Sequence, residues 1–218
     1  GRFFFFFFHC VPEADLLILS VKPQDSGKLL AEIRDLVQPG QVFLSIMAGV
    51  RMATISQALG VDKIIRAMPN LPAQIGAGVT AFTSTDPVTR IELVMVQNLL
   101  NTTGKTLYVE REEMIDASTA ISGSGPAYVY FFMNAMMEAA QQMGFSESEA
   151  ELLVSQTFTG ALDLYNQAGL SCENWIGKVA SKGGTTEAAL RVFRETALHE
   201  DIVAGANAAL QRATELGS

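Results

Sequence analysis

Cysteine, histidine, charge and long apolar runs are all scarce in this sequence of 218 residues. The two cysteines, Cys10 and Cys172, are too few and too far apart for a disulfide framework or a cysteine-based metal centre. Only His9 and His199 would add imidazole ligands, so we expect no metal site. Two unpaired thiols favour a reducing compartment, and we expect a cytoplasmic protein.

Partners of two kinds are made improbable by composition. No apolar run reaches the roughly 18 to 20 residues that a membrane-spanning helix requires, so we expect no membrane partner. The net charge of −8 disfavours a nucleic-acid partner, because an acidic surface repels phosphate. Hydrophobic residues make up 49% of the chain, which is enough for a sizeable core in one or two domains.

The first half of the chain alternates strand and helix patterns. We expect strands at residues 15–21, 41–47, 63–67, 76–82 and 105–109. The helices expected between them cover 25–37, 52–59, and a segment from a cap at Asp86 to about Asn101. Continuous apolar strands separated by helices predict an α/β fold with a parallel sheet and right-handed crossovers.

The second half is predicted to be helical, because the strand pattern stops after Glu112. The expected helices run from Pro126 to Met143, from a cap at Ser146 to about Asn166, and over 186–198 and 201–216. The first of them is apolar almost all round, so we expect it to be buried between other helices.

Three segments at the ends of predicted strands suit a ligand. In Ser20-Val21-Lys22-Pro23, Lys22 would meet a phosphate or ribose, although an ordinary solvated lysine is the alternative. The small residues of Ser45–Val50 leave room for a nicotinamide, or simply form a tight turn that needs glycine. Asn70 would hydrogen-bond a ligand or its own loop.

Two glycine-rich segments precede helices in the second half. Ser122–Tyr128 predicts a helix entry with free N–H groups facing a ligand, or a domain joint where glycine permits a bend. Ser181–Thr186 suits a small carboxylate, because glycines expose N–H groups at a helix start and threonines add hydroxyls. The alternative is a helix cap with Thr186 as the capping residue.

Taken together, in this order and spacing, these segments resemble the pyrroline-5-carboxylate reductase family. The resemblance runs from about Glu13 to the end of the chain. Its most specific parts are Asp116–Tyr128 and Gly183–Thr186, and support comes from Val21–Gln24, Ala48–Val50 and Met68–Asn70.

The resemblance implies a reductase that converts 1-pyrroline-5-carboxylate to L-proline with NADPH or NADH, as a homodimer or higher homo-oligomer. It implies a truncated, Rossmann-like parallel-sheet domain over residues 1–110 and an all-helical dimerisation and substrate domain over 111–218. The implied cofactor-binding residues are Ser20, Val21, Lys22, Pro23, Ile46, Met47, Ala48, Gly49 and Asn70. The implied substrate-binding residues are Glu112, Lys178, Ser181, Gly183, Gly184, Thr185 and Thr186. Thr186 is also the implied catalytic residue, and we expect it to orient the imine nitrogen rather than to transfer a full proton.

One departure from the family pattern lies at the start of the sequence. The family's first strand, glycine-rich turn and helix, roughly 30 residues, has no counterpart, and the run Phe3–Phe8 stands in its place. The residue that selects NAD or NADP is missing with it, so the preferred nicotinamide stays open. A dimerisation module without catalytic activity is therefore an alternative interpretation.

A second alternative is a β-hydroxyacid dehydrogenase-like reductase, which shares the two-part plan. Enzymes of that family carry a lysine on the helix after a Gly-x-Gly turn. The corresponding residue after Gly123 and Gly125 is Val129, which argues against this alternative.

Overall fold

The computed structural model describes residues 10–217, and the run Phe3–Phe8 lies outside the described residues. The chain forms two compact units. Of the described residues, one unit contains 10–126 together with 206–217, and the other spans Ala127–Gly205. A functional division near residue 110 stays a prediction.

A five-stranded sheet forms the first unit, with the strands in sequence order across it. The strands are β1 (Leu16–Leu19), β2 (Val42–Ser45), β3 (Ile64–Met68), β4 (Gly78–Ser84) and β5 (Gly104–Tyr108). Three neighbouring pairs are parallel, so the predicted Rossmann-like α/β fold is confirmed.

The pair β3–β4 is antiparallel, which corrects the expectation of an entirely parallel sheet. Residues 69–77 connect these strands and contain only a 3₁₀ turn at Leu71–Ile75. A parallel crossover needs about a dozen residues or more, usually with a helix, and this connection is too short for one.

Between β1 and residue 124, the sheet unit has four α-helices: α1 (Ser26–Ile33), α2 (Met52–Leu59), α3 (Arg90–Asn101) and α4 (Glu113–Ser118). Successive residues of a strand point to opposite faces of the sheet. Phe43 on β2 therefore packs with Ile55 of α2 on one face, and Leu44 packs with Val96 of α3 on the other. Helices thus cover both faces of the sheet.

The start of α3 differs from the prediction. Thr89, not Asp86, caps the helix: its Oγ1 accepts the Glu92 N–H at 3.3 Å, and Glu92 Oε2 accepts the Thr89 N–H at 2.7 Å. This reciprocal capping box satisfies two backbone donors at once, which a single Asp86 side chain would not do.

Five helices make up the second half: α5 (Gly125–Gln142), α6 (Glu147–Ala168), α7 (Cys172–Val179), α8 (Thr185–Glu195) and α9 (Leu198–Leu216). The capping box predicted at Ser146 is confirmed, with Glu149 as its partner. Two helices were not predicted, α4 and α7; Ser171 caps α7 by accepting the Asn174 N–H at 3.2 Å. Within residues 10–217, each helix is too short or too polar to span a bilayer.

The expected burial of the apolar helix α5 is wrong for the single chain. None of its residues is buried, and Phe131 is 75% exposed. Tyr130 and Met136 on the same helix are exposed as well. An apolar surface of this kind marks an interaction site, because exposing it to water is unfavourable.

Candidate functional site

Two of the predicted cofactor segments meet at one edge of the sheet. Ser20–Pro23 follows β1 and Ile46–Gly49 follows β2, and these strands are parallel neighbours. The Ile46 N–H donates to the Leu19 carbonyl oxygen at 3.0 Å. The carboxyl edge of a parallel sheet is where ligands bind in open α/β folds.

Not every side chain in these segments faces outward. Val21 packs against one hydrophobic core and Ile46 against the other, while Met47 is a buried member of the first. Ser20 and Lys22 are exposed. The hydroxyl of Ser20, the ammonium of Lys22 and the backbone of residues 46–48 are therefore the groups that this edge offers to a ligand.

Gly49 stands where only glycine fits. Its φ is +74°, and a Cβ would lie 2.8 Å from the carbonyl oxygen of Leu216 and 2.9 Å from the Leu216 Cβ. The end of α9 therefore packs directly on this loop. The close approach at Gly49 is made by the chain itself, which supports the tight-turn interpretation at this residue.

The side chain of Asn70 joins three parts of the sheet unit. Its Oδ1 accepts the Val79 N–H at 2.9 Å, and its Nδ2 donates to the Ser122 carbonyl oxygen at 3.2 Å. These bonds tie the loop after β3 to β4 and to the turn before α5. One amide hydrogen and one lone pair remain for a ligand, so a cofactor contact stays a prediction.

A cluster of charged side chains, in part buried, lies next to the end of β2, where Arg66 is the register partner of Ser45. Arg66 Nη2 donates to Asp116 Oδ1 at 2.7 Å, and Arg66 Nη1 donates to Glu112 Oε1 at 3.1 Å. Arg51 Nη2 makes an ion contact with Asp116 Oδ2 at 3.0 Å, although it is not aligned as a hydrogen bond. Arg66 and Asp116 are 1% and 2% exposed. Two guanidinium groups thus share the buried carboxylate of Asp116, and Arg66 also binds Glu112.

Sequence reasoning missed this cluster. The available signal was Arg66 in the middle of the apolar run Ile64-Ile65-Arg66-Ala67-Met68, on a strand buried along its whole length. An arginine is almost never fully buried without a partner, so a carboxylate had to come from elsewhere in the chain. Nothing in the local pattern says that the carboxylate is Asp116.

Glu112, predicted to contact the substrate, belongs to this cluster. Its Oε1 accepts both the Arg66 guanidinium and the Met52 N–H, the latter at 2.8 Å. Glu112 therefore fixes the first turn of α2 in the sheet unit. Its contact with a substrate stays a prediction.

The segment before α5 differs from the expected helix entry. Thr119–Gly123 forms a π-helical turn between α4 and α5, and the Ser124 N–H donates to the Thr119 carbonyl oxygen at 2.8 Å. The expected free N–H group is therefore wrong at Ser124. Single π-turns of this kind are frequent at functional sites, because they widen one turn of a helix locally.

The predicted carboxylate loop is a compact structure within the helical unit. Helix α8 begins at Thr185 with Gly184 as its cap, so the alternative with Thr186 as the capping residue is wrong. Gly184 suits this position because a Cβ would lie 2.5 Å from Ser181 Oγ. Ser181, Gly183, Gly184, Thr185 and Thr186 are brought together around one helix start, as predicted from their sequence.

One N–H group of this loop binds a carboxylate of the chain itself. Gly183, with a φ of +73°, donates its N–H to Glu187 Oε2 at 2.6 Å. Short, charge-assisted bonds of this type are strong, and a helix start favours negative charge. Lys178, the remaining predicted substrate residue, lies on α7 with its Nζ 5.9 Å from the centre of the Trp175 ring.

A Rossmann-like sheet followed by a helical part is the plan of a class of two-part dinucleotide-dependent oxidoreductases. The family model "Pyrroline-5-carboxylate reductase dimerisation" matches residues 112–216. Pyrroline-5-carboxylate reductase 2 of Bacillus subtilis is 36% identical over 203 residues, 93% of this chain and 72% of its own length. Pyrroline-5-carboxylate reductase of Pseudomonas aeruginosa is 34% identical, and the match covers 94% of this chain and 76% of the length of that enzyme. The chain belongs to the pyrroline-5-carboxylate reductase family.

Solved structures of the same family share the fold. The reductase of Plasmodium falciparum, solved with NADP bound, superposes with a TM-score of 0.90 at 25% identity. The superposition covers 97% of this chain and 80% of the Plasmodium chain. The Coxiella burnetii enzyme superposes with a TM-score of 0.87 at 34% identity, covering 96% and 78%. The family predicted from the sequence is confirmed.

Proposed function

We propose that this protein reduces 1-pyrroline-5-carboxylate to L-proline with NADPH or NADH, and so acts in proline biosynthesis in the cytoplasm. The observation that carries this proposal is the similarity to curated reductases over most of the chain. In the reaction, a hydride adds to the imine carbon and a proton adds to the nitrogen, which leaves a secondary amine. The exposed, free thiols of Cys10 and Cys172 are compatible with a reducing compartment.

The residues at the sheet edge fit a nicotinamide nucleotide. Lys22 and Ser20 present a cation and a hydroxyl, which suit a phosphate and a ribose. The backbone after β2, with Ala48 and Gly49, would border the nicotinamide, and Asn70 would contribute its remaining donor. The bound cofactor supplies the hydride.

The loop before α8 would hold the substrate. The N–H groups of Thr185 and Thr186 lie at a helix start, where partial positive charge favours the substrate carboxylate. The Gly184 N–H donates to the Ser181 carbonyl oxygen at 3.0 Å and would have to release it to take part. The Gly183 N–H would join them after releasing Glu187. The hydroxyl of Thr186 would hydrogen-bond the ring nitrogen and orient the imine for hydride addition. Ser181, Lys178 and Glu112 would complete the surroundings of the substrate.

A pair of matched variants tests the role of Thr186. Thr186→Val removes the hydroxyl at nearly constant volume, and we expect kcat/KM for pyrroline-5-carboxylate to fall about tenfold or more, the cost of roughly one hydrogen bond. Thr196→Val is the control, because it makes the same change at the residue that follows α8, about 15 Å from Thr186. Normal turnover by Thr186→Val would remove this residue from the mechanism.

Calorimetric titration tests whether the chain acts as an enzyme or only as an assembly module. The purified chain is titrated with NADPH and then with NADH, and we expect binding at about micromolar strength. A folded homodimer that binds neither nucleotide would favour the non-catalytic alternative. The stronger ligand of the two identifies the preferred cofactor.

A further inference from the structure

The loop after β2 is held at its far end by two carboxylates. We name residues 46–50 the β2 loop; Arg51 and Met52 follow it directly. Arg51 Nη2 lies 3.0 Å from Asp116 Oδ2, and the Met52 N–H donates to Glu112 Oε1 at 2.8 Å. Both contacts span more than 50 residues of sequence, so they are tertiary anchors rather than local turn geometry.

Arg66 fixes the two carboxylates in turn. It comes from β3, the neighbouring strand, and donates one bond to Asp116 and one to Glu112. Burying several charges is unfavourable unless each has a close partner. Because Arg66 and Asp116 are almost fully buried, their geometry is defined by the core, and Arg51 is bound to a rigid acceptor.

The end of α9 also packs against the β2 loop. A Cβ on Gly217 would lie 2.8 Å from the Gly49 carbonyl oxygen and 3.2 Å from Arg51 Nε. A Cβ on Gly49 would equally meet Leu216. The β2 loop and the residues that follow it therefore contact both the charged cluster and the end of α9, which leaves the loop little room to shift.

We propose that Arg51 is a positioning residue, which together with the Arg66–Asp116 pair sets the geometry of the β2 loop against the nicotinamide. The inference rests on the proposed function, which places this loop beside the cofactor. In this role Arg51 acts through the backbone that follows Ser45. A misplacement of about 1 Å at a reacting centre costs up to about a hundredfold in rate, so a loosened loop has a measurable effect.

The test compares two variants of similar ion pairs. Arg51→Met removes the anchor but leaves the buried Arg66–Asp116 bond intact. Lys63→Met is the matched control, because Lys63 forms a half-buried pair with Glu92 at 2.7 Å in the same unit and does not contact the β2 loop. Arg51 and Lys63 are 23% and 22% exposed, so both variants remove a comparable ion pair.

Two readouts are measured on the full chain. We expect Arg51→Met to lower kcat/KM for NADPH about ten- to a hundredfold and to speed amide hydrogen exchange over residues 46–52. Lys63→Met should change neither. Arg51→Lys, which keeps the charge on a shorter side chain, should recover part of the lost kcat/KM.

The outcomes separate this inference from the proposed function. If the wild type is active and Arg51→Met keeps kcat/KM within about twofold of it, the positioning role is wrong and the proposed function stands. If the wild type binds no nucleotide, the proposed function is wrong instead. The amide exchange rates over residues 46–52 then decide alone whether Arg51 fixes the β2 loop. Unchanged exchange over residues 46–52 in Arg51→Met shows that Arg51 does not fix the loop.

Discussion

Arg66 Nη2 donates a hydrogen bond of 2.7 Å to Asp116 Oδ1, and this pair joins β3 to α4 across 50 positions of sequence. Both side chains are almost completely buried. Arg66 is the register partner of Ser45, the last residue of β2, from which one of the proposed cofactor segments continues. Because both side chains are buried, solvent and salt screen the attraction between their charges only weakly, and the pair helps to support this part of the sheet.

Breaking this pair is expected to destabilise the protein strongly. Asp116→Asn leaves Arg66 as a buried cation with weakened pairing, and we expect a loss of about 3–5 kcal/mol in the free energy of unfolding. The exposed pair Lys28–Glu32 provides the control, since Glu32→Gln should change stability by less than about 0.5 kcal/mol. Urea unfolding of the three proteins measures the difference. A loss in Asp116→Asn no larger than that of the control would show that the buried pair is energetically neutral.

The packing at Gly49 predicts a large effect of a single methyl group. Gly49→Ala places a Cβ 2.8 Å from a backbone oxygen of Leu216 and forces a left-handed φ. Gly60 has nearly the same φ, +71°, but nothing lies within 4 Å of its Cβ position. We expect Gly60→Ala to cost about 1–2 kcal/mol for the backbone alone, and Gly49→Ala to cost clearly more. Equal losses in urea unfolding would mean that the end of α9 moves aside.

The corrected start of α3 has its own test. Thr89→Ala removes the hydroxyl that accepts the Glu92 N–H, so we expect a loss of about 1 kcal/mol in the free energy of unfolding. Asp86→Ala, at the position expected from the sequence, should change stability by less than about 0.5 kcal/mol. If thermal and urea unfolding gave the reverse order, Asp86 would be the true cap.

Acidification should weaken one particular ion pair. Burial acts to raise the pKa of Glu92, but hydrogen bonds from Lys63 and Thr89 outweigh it and hold this pKa below its ordinary value of 4.5. The pair therefore contributes stability above pH 4.5, and the contribution is lost as the pH falls through the lowered pKa.

Lys63→Met measures this contribution. At pH 7 we expect the variant to be less stable than the wild type by about 0.5–1 kcal/mol. The difference should shrink towards zero below the lowered pKa of Glu92, because the carboxyl is then protonated in both proteins. Unfolding free energies at several pH values give the comparison; a difference that does not depend on pH would exclude the ion pair as its cause.

The exposed apolar surface of α5, which includes Tyr130, Phe131 and Met136, predicts that the chain associates with a second copy. Phe131→Glu places a charge on this face, and we expect it to shift a homodimer towards monomer, because burying an unpaired carboxylate is unfavourable. Ile91, 83% exposed on α3, provides the control Ile91→Glu, which should leave assembly unchanged. Sedimentation velocity distinguishes the outcomes, and a Phe131→Glu variant that stays dimeric would place the interface elsewhere.

Much of the fold was predictable because its signals are local. The helix Met52–Leu59 has the predicted bounds, the Ser146 capping box is present, and the five strands lie within a few residues of their expected positions. Apolar periodicity and capping chemistry act over a few residues, so they can be recognised in a single sequence. Helix α7 escaped prediction because its eight residues carry too short a pattern.

The sequence by itself determined the family and the order of the strands and of the helices other than α4 and α7. It also predicted the loops that we propose border the cofactor and the substrate. These properties depend on residue types at short spacing. Only the tertiary structure decided that β4 runs antiparallel to β3, that Arg66 pairs with Asp116, and that Leu216 closes over Gly49. Each of these is a contact between segments distant in the chain, where local propensity carries no information and packing and charge pairing select the partner.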